Sequence, residues 1–169
     1  MKTARYVAAA ALALAIGVGA YLNSEGTDLR RSAPSVAYTL LDGTPSSTDA
    51  LRGKVVLVNF WATTCTSCVH EMPQIVATHD RFKARGFETL AVAMSYDPPS
   101  EVVRFAQSRQ LPFPVVIDNT GAVARSFGDV RLTPTTVLIN KRGEIVKRFV
   151  GEPDFAALNT LVEALLSEV

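Results

Sequence analysis

Apolar positions fall along this chain in two alternating periods. Val55 to Phe60 is a short run, apolar on both faces, that reads as a strand buried inside a sheet. Phe87 to Met94 repeats that pattern, and Val115 to Ile117 and Thr135 to Ile139 are shorter versions of it. Asn140 to Gly143 forms a tight turn, with Glu144 to Val150 as the hairpin partner. Between the strands the spacing becomes helical. One helix is expected from Cys65 to about Arg85, with Gly86 as its stop and Pro73 as an internal kink. A second, Glu101 to Gln110, is opened by Asp97-Pro98-Pro99-Ser100 and ended by Pro112-Phe113-Pro114. Ala122 to Phe127 makes one or two turns closed by Gly128, and Phe155 to Leu166 is amphipathic.

Upstream, Val36 to Leu41 followed by Asp42-Gly43 predicts a short strand and a turn, the start of an N-terminal β-hairpin. Thr44 to Gly53 then returns over the surface with Leu51 as its one buried side chain. The resulting order, β–β–α–β–α–β–α–β–β–α, predicts an α/β fold of about 135 residues. It is a three-layer α/β/α sandwich with a mixed sheet, parallel where strand and helix alternate and antiparallel at an edge formed by the final hairpin.

The first 22 residues differ from the rest. Lys2 and Arg5 precede an uncharged apolar run, Tyr6 to Leu22, which is the composition of an export signal and the lower limit of a spanning helix. Val18-Gly19-Ala20 suits signal-peptidase cleavage, whereas an uncleaved run would anchor the chain with its basic end in the cytoplasm. Residues 1–22 are therefore expected to be a signal peptide or membrane anchor, residues 23–35 a flexible linker and residues 36–169 the folded domain. Both readings export the domain to the periplasm or an equivalent extracytoplasmic space, where disulfides persist. A formal net charge of +1 gives no argument for nucleic acid as a partner.

Compartment matters because the only two cysteines are Cys65 and Cys68, at the start of the helix that follows the buried strand. Free N–H groups and the helix dipole at such a terminus favour a thiolate, so Cys65 is expected to be acidic and reactive. The pair reads as a dithiol–disulfide redox site. A structural bridge is a second reading, although so short a loop constrains the unfolded chain little. A metal site is a third, with His70 and His79 the only histidines and no second cysteine pair.

Val58 to Cys68 (Val-Asn-Phe-Trp-Ala-Thr-Thr-Cys-Thr-Ser-Cys), then Glu71 and Pro73, and later Leu132-Thr133-Pro134-Thr135-Thr136 resemble the thioredoxin fold in its extracytoplasmic TlpA/ResA branch. Tyr96 to Val115 resembles the helical insertion of that branch. The resemblance implies a cis Thr133–Pro134 bond beside the disulfide, whose backbone pairs with substrate, with Trp61 packed next to the site. It also implies a protein-disulfide oxidoreductase that needs no cofactor or metal. Thr64 stands where the family usually has tryptophan, Thr66-Ser67 replaces its proline-containing dipeptides, and Asn59 stands where thioredoxin keeps a buried aspartate. Glu71 is the substitute candidate for proton exchange with Cys68, three residues away on the same helix face.

The expected site is thus Cys65 and Cys68 as the redox disulfide, with Glu71 and Pro134 supporting the chemistry and Trp61, Thr133 and Pro134 receiving substrate. Expected partners are protein thiols and disulfides and a membrane electron donor, with the protein acting as a monomer and as a reductant, in cytochrome c maturation or related redox homeostasis. Two rivals stay open. A peroxiredoxin would require proline where Val58 stands, and a copper carrier using the same cysteines would lack accompanying Met or His clusters.

Overall fold

Strand β4 (Val55–Trp61) is buried along its whole length, and the other elements are arranged around it. The computed structural model describes residues 31–168, so the expected signal or anchor, and residues 23–30 of the linker, lie outside the described residues. In chain order the elements are β1 (Arg31–Ser32), β2 (Ala37–Thr39), β3 (Pro45–Ser47), β4, α1 (Thr66–Phe82), β5 (Phe87–Ala93) and α2 (Pro99–Ser108). They continue with β6 (Val115–Ile117), α3 (Ala122–Ser126), β7 (Thr135–Ile139), β8 (Glu144–Val150) and α4 (Phe155–Ser167).

One sheet has the strand order β1-β8-β7-β4-β5-β6. Strands β4, β5 and β6 run parallel, joined through helices, while β7, β8 and β1 are added antiparallel. β2 and β3 form a separate hairpin. Because side chains alternate across a strand, β4 splits the core in two. Val55, Leu57 and Trp61 pack with α1, α2 and α4 through Cys68, Ile75, Val102, Leu158 and Val162. Val56, Val58 and Phe60 face the other way, toward α3 and the hairpin residue Tyr38. Phe60 meets Phe127 edge to face at 5.5 Å, a geometry that adds roughly 1 kcal/mol to the burial of the two rings. This is the three-layer arrangement expected.

Two details differ from the sequence reading. Arg31–Ser32 was expected within the linker but pairs with β8, Arg31 opposite Ile145 and Ser32 opposite Glu144, so β8 is not the sheet edge. The pairing uses backbone alone and leaves two exposed side chains, so no hydrophobic pattern announces it. In the return over the surface, Leu51 is only partly buried, and the buried residue is Thr48. Its hydroxyl accepts from the Val36 amide at 3.0 Å and donates to the Pro34 carbonyl at 2.6 Å, so it satisfies backbone that the fold encloses. Helix α1 runs through Pro73, as expected, with the ring exposed.

The strand directions bring the site together. Met94, just past β5, donates its amide to the Trp61 carbonyl at 3.0 Å, and Phe60 pairs with Thr135 at the start of β7. The end of β4, the end of β5 and the beginning of β7 therefore meet at one end of the sheet.

Candidate active site

Beyond Trp61 the chain turns through Ala62, Thr63 and Thr64, and the Cys65 amide closes the turn on the Ala62 carbonyl at 3.2 Å. Asp97, on the segment between β5 and α2, holds this turn from behind. Its buried carboxyl accepts from the Thr63 amide and the Thr63 hydroxyl, each at 2.6 Å. Sequence reasoning took Asp97 only as the opening of a helix. A local pattern cannot show a contact 34 residues away, and an Asp before Pro-Pro has an ordinary explanation.

Cys65 is the N-cap of α1, and its sulfur accepts from the Cys68 amide at 3.2 Å. The two cysteines are joined as a disulfide. Cys65 is partly exposed, between the exposed Thr64 and Thr66, whereas Cys68 is fully buried. Once the bond is reduced, the same amide and helix terminus stabilise negative charge on the outer sulfur. One sulfur can be reached from outside and the other cannot. That asymmetry is what an attacking and a resolving thiol require.

Glu71 lies one turn further along α1 and is fully buried. The Asn59 amide Nδ2 donates to Glu71 Oε1 at 2.9 Å and to Thr136 Oγ1 at 3.0 Å. Burial pushes the Glu71 carboxyl up to about 7; the Asn59 hydrogen bond opposes the rise, and the charge of Glu152 adds to it. A carboxyl in that range exchanges its proton near neutral pH.

The Thr133–Pro134 bond is cis and Pro134 is buried, its carbonyl accepting from the Gly151 amide at 2.8 Å. The Thr133 hydroxyl lies 3.2 Å from the Tyr96 hydroxyl, and among the described residues the Thr133 backbone N–H and C=O have no partner. Around this open edge stand three large exposed side chains: Tyr96 at 57%, Leu132 at 65% and Val150, opposite Thr135, at 61%. Sequence reasoning singled out none of the three as a surface.

The expected substrate contact of Trp61 needs correction. Its indole is completely buried, packed on Phe105 at 5.0 Å between ring centres, so it supports the turn and offers no surface to a substrate. It shares the inward face of β4 with Val55 and Leu57, which is why it points into the core. His70 is exposed, as expected, and lies 3.2 Å from Glu152. Among the described residues no group of three or more His, Cys, Asp or Glu side chains is placed to hold a metal ion.

Residues 29–164 match the Redoxin family. The thiol-disulfide oxidoreductase ResA of Halalkalibacterium halodurans is 36% identical over 146 residues, which cover 84% of this chain and 82% of that protein. A solution structure from Neisseria meningitidis, assigned as a thioredoxin, is 41% identical with a TM-score of 0.74, covering 80% of this chain and 90% of that one. The thiol:disulfide interchange protein of Chlorobium tepidum, a thioredoxin family protein, is 28% identical with a TM-score of 0.74 over 82% and 97% of the two chains. With its thioredoxin-like sandwich and its Cys65–Cys68 disulfide, the chain belongs to the Redoxin family as a ResA-like thiol-disulfide oxidoreductase.

Proposed function

We propose that this oxidoreductase works outside the cytoplasm as a reductant of disulfides in other proteins. The observation that carries the reading is the pairing of a partly exposed Cys65 at a helix terminus with a fully buried Cys68, at the end of the sheet where β7 begins just after the cis Thr133–Pro134 bond. In the reduced protein the Cys65 thiolate attacks a substrate disulfide. A Cys65–substrate bond forms and the first substrate sulfur leaves as a thiolate. Cys68 then gives its proton to Glu71 and attacks the Cys65 sulfur. The Cys65–Cys68 bond forms, the second substrate thiolate leaves, and two electrons have passed to the substrate.

The Thr133 N–H and C=O, without partners among the described residues, receive an extended substrate chain next to Pro134, and Tyr96, Leu132 and Val150 supply apolar contact around it. The direction of electron flow is read from the two residues between the cysteines. Thr66 and Ser67 add no basic group to the helix terminus, and a strong oxidant needs a more stable thiolate than that. A reductant outside the cytoplasm must be recharged, which implies a membrane protein that carries electrons outward. The basic residues Lys2 and Arg5 before the Tyr6–Leu22 run support export, and an uncleaved run would hold the monomeric domain near that donor. Apocytochrome c is a substrate that suits this chemistry, because its cysteines must be reduced before haem attachment.

Acid quenching of cells followed by alkylation of free thiols tests the direction. The protein is expected to be mostly reduced while its membrane donor is intact, and oxidised when the donor is removed. A largely oxidised population with the donor intact would overturn the reductant reading.

A further inference from the structure

We propose that Asn59 is a positioning residue for the proton step, holding the Glu71 carboxyl through Oε1 so that Oε2 is the oxygen that takes the Cys68 proton. This rests on the proton role assigned to Glu71 above. Asn59 lies on the face of β4 shared by Leu57 and Trp61 and is fully buried, as are Glu71 and Cys68. Its Nδ2 donates in two directions, to Glu71 Oε1 at 2.9 Å and Thr136 Oγ1 at 3.0 Å. An amide turned over would place its oxygen against an ionised carboxylate, acceptor against acceptor, so this orientation is set by the two partners.

Among the described residues, two buried acceptors of the pair, Asn59 Oδ1 and Glu71 Oε2, have no hydrogen-bond partner. They are the second halves of the two planar groups already joined through Nδ2 and Oε1. A buried carboxyl with one oxygen engaged and the other unpartnered has a defined place for a proton. Cys68 stands one helical turn before it on the same inward side of α1. β4 brings the uncharged Asn59 amide to Glu71, and β7 brings the uncharged Thr136 hydroxyl to that amide. The segment after β8 brings Glu152, whose own partner is His70. In the step itself the Cys68 S–H bond breaks as an O–H bond forms at Glu71 Oε2, and the freed sulfur lone pair makes the bond to the Cys65 sulfur while the Cys65–substrate S–S bond breaks and the substrate leaves as a thiolate. Thr136 belongs to the same device one contact further out, because it fixes the amide that fixes the carboxyl.

The test is the pH profile of the resolution step, read in a single turnover of the reduced protein with an aromatic disulfide as release of the second aromatic thiol. Asn59→Leu fills the space but removes the hydrogen bond to the ionised carboxylate, so the midpoint of the profile is expected to move up by about one pH unit. Thr136→Val is expected to move it the same way by less, and Thr136→Ser, which keeps the hydroxyl, to leave it in place. In a Glu71→Gln background neither Asn59→Leu nor Thr136→Val is expected to move what remains. Thr136→Val carries the test should Asn59→Leu fail to fold. If Glu71→Gln alters the profile while Asn59→Leu and Thr136→Val do not, the positioning role is wrong. If Glu71→Gln leaves the profile untouched, the proton role of Glu71 fails first, and the role of Asn59 with it.

Discussion

Asn59 and Glu71, twelve residues apart, meet in the core through one hydrogen bond of 2.9 Å between completely buried side chains. An aspartate at position 59 would set two carboxylates in contact. The amide instead gives a hydrogen, and a raised but still titratable carboxyl sits on the inward side of the redox helix.

The pair should be visible in stability. The folded Glu71 carboxyl titrates at about 7, against 4.5 when unperturbed. Its folded state holds the proton more tightly, so its contribution is fully present below about pH 4.5 and is lost as the pH rises through about 7. The loss is on the order of 3 kcal/mol at most. His79, buried against Phe113 and Thr89, acts oppositely, because burial lowers its pKa and it loses stability as the pH falls below 6.5. The measurable quantity is therefore a difference. Denaturant unfolding of the oxidised protein and of Glu71→Gln between pH 4.5 and 7.5 should show the variant gaining relative stability as the pH rises. Parallel pH curves would contradict the raised carboxyl.

Much of this site was legible in the sequence, for local reasons. Cys65 and Cys68 stand where a buried apolar run gives way to helical spacing, and that junction alone places one sulfur outside and one inside. The cis Thr133–Pro134 bond was legible only through resemblance, since nothing in Leu-Thr-Pro-Thr distinguishes it from a proline at the start of a strand. Thr136 and Asp97 act through contacts 77 and 34 residues away, and no periodicity reports those. Arg31–Ser32 escaped for a different reason: a two-residue strand held by backbone has no side-chain pattern to read. Trp61 is fully buried, which denies it the substrate contact expected of it.

Asp97 is expected to be structural support for the cysteine turn. Asp97→Ala leaves the Thr63 amide and hydroxyl without their acceptor and should cost about 2–3 kcal/mol. Asp97→Asn keeps one accepting oxygen and should cost less. Thermal unfolding ranks the two variants, and amide exchange at Thr63 should quicken in the alanine form. An alanine variant as stable as the parent would show that the turn is held by something else.

Leu132 should act on substrate and hardly at all on folding. It is exposed, so Leu132→Ser is expected to change stability by no more than about 0.5 kcal/mol. Its effect should appear as a several-fold fall in kcat/KM toward a protein disulfide, with a much smaller change toward a small aromatic disulfide. Equal effects on both substrates would mean that this apolar edge does not receive the protein chain.

The division of labour between the two sulfurs is tested most directly by identifying which one holds a substrate. Cys68→Ser removes the resolving thiol and should accumulate mixed disulfides, seen on non-reducing gels and located by mass spectrometry at Cys65. Cys65→Ser should accumulate none, because the Cys68 sulfur is buried. Adducts joined through Cys68, or equal trapping by the two variants, would contradict the assignment of Cys65 as the attacking thiol.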